Sequence, residues 1–216
     1  MKKILLEEKY ILEYIKDSIN EIKEKTFVIE NAKYHHNTSY DNAPSICKHG
    51  ILTMLDLQKY GLVDYTDEQL KKFSDIESHV NGIDSISLAV VGLDDIYYNE
   101  DVYDPFDPKC IDFLVCSSIK AGRSSIHYGN EFLSNQSISI DKLKSIDIRL
   151  LKYIQILEAK NNYSIKDVIK KYNYLKEIAI AIKQMNLDIP IREMSVENSI
   201  SLDIDKLSDI PKLVLK

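Results

Sequence analysis

Five histidines and three cysteines are the groups from which most metal or nucleophile chemistry in this 216-residue chain would have to be built. His35, His36, His49, His79 and His127 form no HExxH and no Cys2His2 spacing, so the sequence offers no zinc ligand set. Cys47, Cys110 and Cys116 have no metal spacing and cannot all pair within one chain, which fits a reducing compartment. There is no Gly-x-Ser-x-Gly elbow, and six glycines leave little room for a phosphate loop or a dinucleotide fingerprint. Two features remain. One is a polar, histidine-bearing turn that starts at Tyr34 and runs through His36, Thr38 and Ser39 into a short helix ending at Gly50. The other is a lone carboxylate, Glu131, placed where a loop meets a strand.

The turn is built as a helix entrance. Asp41 is expected to cap the helix, Pro44 suits its first turn, Ile46 supplies an apolar contact, and Gly50 is expected to end it in the left-handed conformation. His36, Thr38 and Ser39 then lie just before a helix N-terminus, where backbone N–H groups and the helix dipole favour a polar or anionic ligand.

The elements that must position these groups are legible from periodicity. Ile4, Ile11, Ile15, Ile19 and Ile22 fall at helical spacing among charged residues, which predicts one amphipathic helix over the first two dozen residues. Residues 55–60 read as helical, and Thr66 followed by Gln69 forms a capping box that starts a further helix running toward His79. Residues 83–91 and 111–116 are short, rich in β-branched and aromatic side chains, and bounded by turn residues, so both are predicted strands. Between them runs an acidic, tyrosine-rich connection that includes Tyr97 and Tyr98. A second loop, 117–130, carries Arg123, Tyr128 and Asn130 and delivers the chain into a strand at Glu131. From Asp141 the signal turns helical over 148–159 and 164–185, with Ser164 as N-cap, and residues 189–194 read as one more edge strand. The fold class expected is α+β, with a split, mixed β core and flanking helices. The expected division is an N-terminal helix (1–26), a core (27–145) and a helical C-terminal extension with a final edge strand (146–216).

Composition narrows the partners. A hydrophobic content of 44% supports a buried core, while a net charge of −6 and a pI near 5.4 remove any global electrostatic reason to bind nucleic acid. The 28 lysines and arginines still allow a local basic groove. Glutamates interrupt the N-terminal apolar triplet before a signal-peptide core forms, and no run reaches the roughly 18 apolar residues of a membrane span, so a cytoplasmic protein without a membrane partner is expected.

The segment from His36 to Ile51 resembles the first motif of the ADP-ribosyltransferase superfamily: His-x-Thr or His-x-Ser, a short helix with an apolar residue, then Gly-Ile or Gly-Leu. Its asparagine and its Pro44-Ser45-Ile46 look most like the branch of bacterial toxins that ADP-ribosylate DNA, and the signature is also similar to RNA 2′-phosphotransferases. The segment 82–89, with Ser85 and Ser87, resembles the second motif, a strand lining the nicotinamide pocket. Asn130-Glu131-Phe132-Leu133 is similar to the third, in which a glutamate opens a strand behind a substrate-recognition loop. The likeness covers about residues 30–145. Gly129 stands two before Glu131, where arginine-modifying transferases carry Glu or Gln, so arginine modification is disfavoured. The absence of tyrosine at Ser85 and Ser87 moves the chain away from the poly-ADP-ribose polymerase branch.

The resemblance implies an intracellular mono-ADP-ribosyltransferase that uses NAD as co-substrate, with no metal, and acts as a toxin or anti-phage defence effector. Its acceptor would be a nucleic acid or a protein, and an antitoxin or immunity protein is a natural further partner. Glu131 would be the catalytic carboxylate, stabilising an oxocarbenium-like ribose. His36 would bond the adenosine ribose, Thr38 and Ser39 would fix the same end of the cofactor, Ser87 would sit beside the nicotinamide, and Tyr97 or Tyr98 would stack on it. Arg123, Tyr128 and Asn130 would belong to the substrate-recognition loop. The alternatives are an NAD glycohydrolase with the same pocket, or a silent partner-binding module that keeps the fold.

Overall fold

The computed structural model describes residues 2–24, 32–69, 85–90, 110–123, 131–160, 164–194 and 199–216, with backbone alone at 122, 123, 131, 160 and 199. The protein is a mixed α+β structure built on an eight-stranded sheet. Its strands are β2 (Ala32–Ser39), β3 (Ile86–Val90), β4 (Cys110–Cys116), β5 (Gly122–Arg123), β6 (Glu131–Ser134), β7 (Leu143–Ile148), β8 (Ile191–Met194) and β9 (Ser199–Leu202). They run in the order β5-β6-β3-β2-β4-β7-β8-β9, and only β7 and β8 are parallel. A separate two-stranded parallel sheet joins β1 (Lys3–Leu6) to β10 (Lys212–Leu215) and so ties the two ends of the chain together.

Two adjacent rows of residues define the faces of the large sheet, because residues opposite one another on neighbouring strands share a face and successive residues alternate. The row His36, Phe113, Ile146, Ile191, Leu202 crosses β2, β4, β7, β8 and β9, and its four apolar members are at most 2% exposed. This is the core face. The next row, Asn37, Asp112, Asp147, Arg192, Ser201, crosses the same five strands on the opposite face and is polar throughout.

The helices are α1 (Glu8–Glu21), α2 (Ala43–His49), α3 (Met54–Lys59), α4 (Leu150–Lys160), α5 (Ile165–Gln184) and α6 (Ile204–Asp209). The longest, α5, buries Ile165, Val168, Ile169, Tyr172, Leu175, Ile178, Ala179 and Ile182, a stripe three and four residues apart. It packs against α2, α6, α1 and β10, and its Ser164 cap accepts a hydrogen bond from the Asp167 N–H. At α1, Ile11, Ile15 and Ile19 are fully buried, as the isoleucine stripe predicts.

Several expectations are corrected. The N-terminal helix is shorter than its stripe, because residues 3–6 are drawn into the ladder with β10 and Ile4 belongs to a strand. The loop 117–130 contains the short strand β5, whose Gly122 and Arg123 pair with Leu133 and Phe132. Residues 189–194 do not form an edge, since β9 covers the outer side of β8 and Pro190 lies before the strand, where its carbonyl still accepts from the Ile146 N–H at 2.9 Å. The boundary expected at 145 falls inside β7, and β8 and β9 continue the same sheet. The capping box at Thr66 and Gln69 forms reciprocally, at 2.9 and 3.2 Å; the remainder of the helix expected toward His79 lies outside the described residues. Among the described residues no helix is long and apolar enough to cross a membrane.

Candidate functional site

The three segments with chemical promise are separated by about a hundred residues of chain, yet they occupy three neighbouring strands, β2, β3 and β6. Position 131, the first residue of β6, is in register with Ala89, and Ala89 is in register with His35. The pleat thus puts position 131 in phase with His35 and out of phase with His36.

β2 is bound to its two neighbours unequally. It pairs with β4 from Ala32 to Ser39, with a register shift between Ala32 and Tyr34, but with β3, among the described residues, only at Tyr34 and His35. Beyond His35 the β2–β3 ladder stops, and the connection is made by a side chain: His36 Nδ1 lies 3.0 Å from the Ser87 carbonyl oxygen. A carbonyl only accepts, so Nδ1 carries the proton and a neutral His36 ring presents a lone pair at Nε2. Burial lowers the His36 pKa, against the opposing pull of the Ser87 carbonyl and the Asp112 charge, which keeps the ring neutral near pH 7.

The helix entrance differs from its sequence reading in detail. Asn42, not Asp41, is the N-cap residue of α2, and its backbone is already helical with no side-chain cap bond. The Asn42 amide instead donates to Thr38 Oγ1 at 3.1 Å. The Ser39 hydroxyl donates to the Asp41 carboxylate, holding it below its ordinary value, and Lys170 lies 3.5 Å from the same group. Thr38 and Ser39 therefore engage side chains that flank the helix start. Gly50 ends α2 at φ +82 and ψ −175, a region reserved for glycine but outside the left-handed helical basin. A Cβ there would lie 2.2 Å from the Ile138 carbonyl oxygen, because Ile51 and Ile138 exchange backbone hydrogen bonds beside it. The glycine thus serves a close backbone approach that anchors α2 to the chain just after β6.

Of the remaining residues singled out in the sequence, Ser87 contributes its backbone carbonyl to His36 and sits in β3, partly exposed. Arg123 is placed by its backbone in β5, in register with Phe132. Tyr97, Tyr98, Tyr128 and Asn130 lie outside the described residues.

Sequence reasoning missed the most concentrated electrostatics. On the polar face Asp112 accepts from three donors: His35 Nδ1 at 3.3 Å and Asn37 Nδ2 at 3.0 Å on Oδ1, and Arg149 Nη1 on Oδ2. Burial pushes the Asp112 carboxyl up, but the His35 bond and the Arg149 charge outweigh it and hold the group below its ordinary value. One strand further, Arg192 grips Asp147 bidentately at 2.7 and 2.5 Å, and Ser145 donates to Asp147 at 3.0 Å. On the core face, Glu193 accepts from the Leu151 N–H of the first turn of α4 at 3.1 Å, while its other oxygen is buried without a hydrogen-bond partner among the described residues. The available signal was a charged residue inside each apolar strand run: Asp112 after Ile111, Asp147 between Ile146 and Ile148, and Arg192 after Ile191.

The fold and site define an α+β protein whose candidate site lies where a histidine strand parts from its neighbour, backed by a buried ionic row. Comparison of the chain with protein-family models, with curated proteins and with solved structures returns no match.

Proposed function

We propose that the protein is an NAD-dependent mono-ADP-ribosyltransferase, working in the cytoplasm as a toxin or defence effector on a nucleic acid or protein acceptor. The observation that carries this reading is the adjacency of β2, β3 and β6: segments resembling the three motifs of that superfamily, far apart in the chain, lie on consecutive strands. The α+β sheet with flanking helices is compatible with the architecture that the resemblance implies. His36, out of phase with position 131, is read as holding the adenosine-side ribose and not the reacting one: a neutral ring with an acceptor at Nε2 suits a ribose hydroxyl donor. In the reaction the bond between the ribose C1′ and the nicotinamide nitrogen breaks, and its electron pair leaves with nicotinamide. The Glu131 carboxylate stabilises the positive charge that develops on the ribose and orients the acceptor, whose lone pair forms the new bond to C1′ as its proton departs.

Incubation of the protein with adenine-labelled NAD and cell extract, followed by nuclease or protease treatment, tests the reading. Label lost to only one treatment assigns the acceptor class. Nicotinamide release with no labelled macromolecule makes water the acceptor, and no NAD consumption at all refutes the activity.

A further inference from the structure

His36 belongs to the core-face row, yet the two residues that flank it, His35 and Asn37, point their donors at a single carboxylate on the opposite face. That carboxylate, Asp112, is 2% exposed and sits directly opposite Asn37 on β4. Its second oxygen is held by Arg149, which follows β7. A strand gripped one residue before and one residue after a given position has its pleat fixed at that position. Here this happens at the point where the backbone ladder to β3 has ended and the His36 ring reaches across to the Ser87 carbonyl.

We infer that Asp112 is a positioning residue of the NAD site, which acts through His35 and Asn37 to set the pleat of β2 so that the His36 ring stays on the Ser87 carbonyl with Nε2 presented to the ribose. The inference rests on the proposed NAD chemistry for what His36 contacts, but the tether itself is a property of the protein without ligand. A carboxylate is needed because three donors converge on it, one a guanidinium and two from a single strand. An amide at the same place can accept, but it withdraws the negative charge that faces Arg149 and adds donors of its own beside His35 and Asn37.

The test compares wild type with Asp112→Asn, with Asn37→Ala, and with Asp112→Asn combined with Arg149→Met, which removes the facing cation together with the carboxylate charge so that folding is retained. Positioning predicts that KM for NAD rises about tenfold in both Asp112 variants while kcat stays within about twofold, because a contact made equally in ground and transition states has been loosened. Asn37→Ala is expected to raise KM by a smaller factor. A purely structural ion pair predicts the opposite split: less active protein at unchanged KM for Asp112→Asn, and full recovery in the double variant. A second measurement needs no turnover. In histidine-labelled protein the His36 Nδ1–H resonance should be protected from exchange in wild type and lost in both Asp112 variants. An unchanged KM in the double variant, or an unchanged ring-proton signal, overturns the inference. If wild type consumes no NAD the proposed activity fails, and the ring-proton measurement still decides whether the tether exists.

Discussion

Replacing Glu193 by Gln should make the protein more stable in alkaline solution and leave it nearly unchanged in acid. Glu193 is 2% exposed; one oxygen receives the Leu151 N–H, and the other has no hydrogen-bond partner among the described residues. Burial pushes its pKa from the ordinary 4.5 to about 8, and the backbone N–H groups of Leu151 and Leu150 and the charges of Lys23 and Arg149 offset this only in part. In the unfolded chain the group ionises near its ordinary value. Between 4.5 and 8 the folded state therefore binds more protons than the unfolded one, and stability falls as pH rises through that interval. At about 1.4 kcal/mol for each pH unit, the wild type approaches a loss of about 5 kcal/mol by pH 8, a large part of the roughly 5–15 kcal/mol that holds a domain folded. Glutamine keeps the acceptor for Leu151 and the shape of the protonated acid, but it does not titrate. Urea unfolding at about pH 5, 6.5 and 8.5 should give curves that nearly coincide in acid and separate by several kcal/mol in favour of the variant in alkali. Parallel pH profiles, or a variant less stable at the highest pH, would show instead that the carboxylate is ionised against the start of α4, and the reasoning would be wrong.

Three further outcomes are expected. Glu131→Gln should lower nicotinamide release by at least about a hundredfold with little change in melting temperature, and a variant that consumes NAD at the wild-type rate removes Glu131 from the chemistry. Asp147→Asn strands the buried guanidinium of Arg192 and should cost about 3–5 kcal/mol in denaturant unfolding, whereas Asp147→Leu combined with Arg192→Met should cost much less; equal losses would count against the pair as the cause. Gly50→Ala should destabilise by about 3 kcal/mol or more, since its Cβ would press on the Ile138 carbonyl at a positive φ, and a melting temperature within about 2 °C of wild type would contradict that geometry.

The sequence was most readable where one side chain period fitted one environment. The Ile11, Ile15, Ile19 stripe and the α5 stripe from Ile165 to Ile182 face a core on one side and solvent on the other, so period 3.6 survives in the residue types. The strand at 111–116 was readable for a different reason, its short run of Ile, Phe, Leu and Val, since both of its faces are buried. What failed were elements whose existence depends on a distant partner. Residues 3–6 are a strand because β10 lies beside them, and Gly122–Arg123 is a strand because β6 does. Neither partner is visible in a local window, and the same four or two residues could continue a helix or a loop without violating any propensity. Asn42 displaced Asp41 as the cap for a reason that is only partly non-local: Asp41 is engaged by Ser39, two residues before it, and approached by Lys170 from α5.

The candidate site divides along the same line. The motif residues His36, Thr38 and Ser87 could be picked out because they lie in short, recognisable strings, but their relation to each other required the sheet order. The ionic row was hidden for the converse reason. Asp112, Asp147 and Arg192 each read locally as the polar member of an alternating strand, a pattern that normally means a solvated face. Only the registers Asn37 to Asp112, Asp112 to Asp147 and Asp147 to Arg192 reveal that the alternation is aligned across strands, which places acids next to one another and forces each to recruit a cation. Two carboxylates opposed on adjacent strands repel, so Arg149 on the first and Arg192 on the second are what make the row tolerable. That requirement also explains why the histidine strand is the one so firmly held. Once Asp112 is committed to Arg149 on one side, its other oxygen is left to gather His35 and Asn37, and the residue between them inherits a fixed pleat at the place where the sheet begins to open.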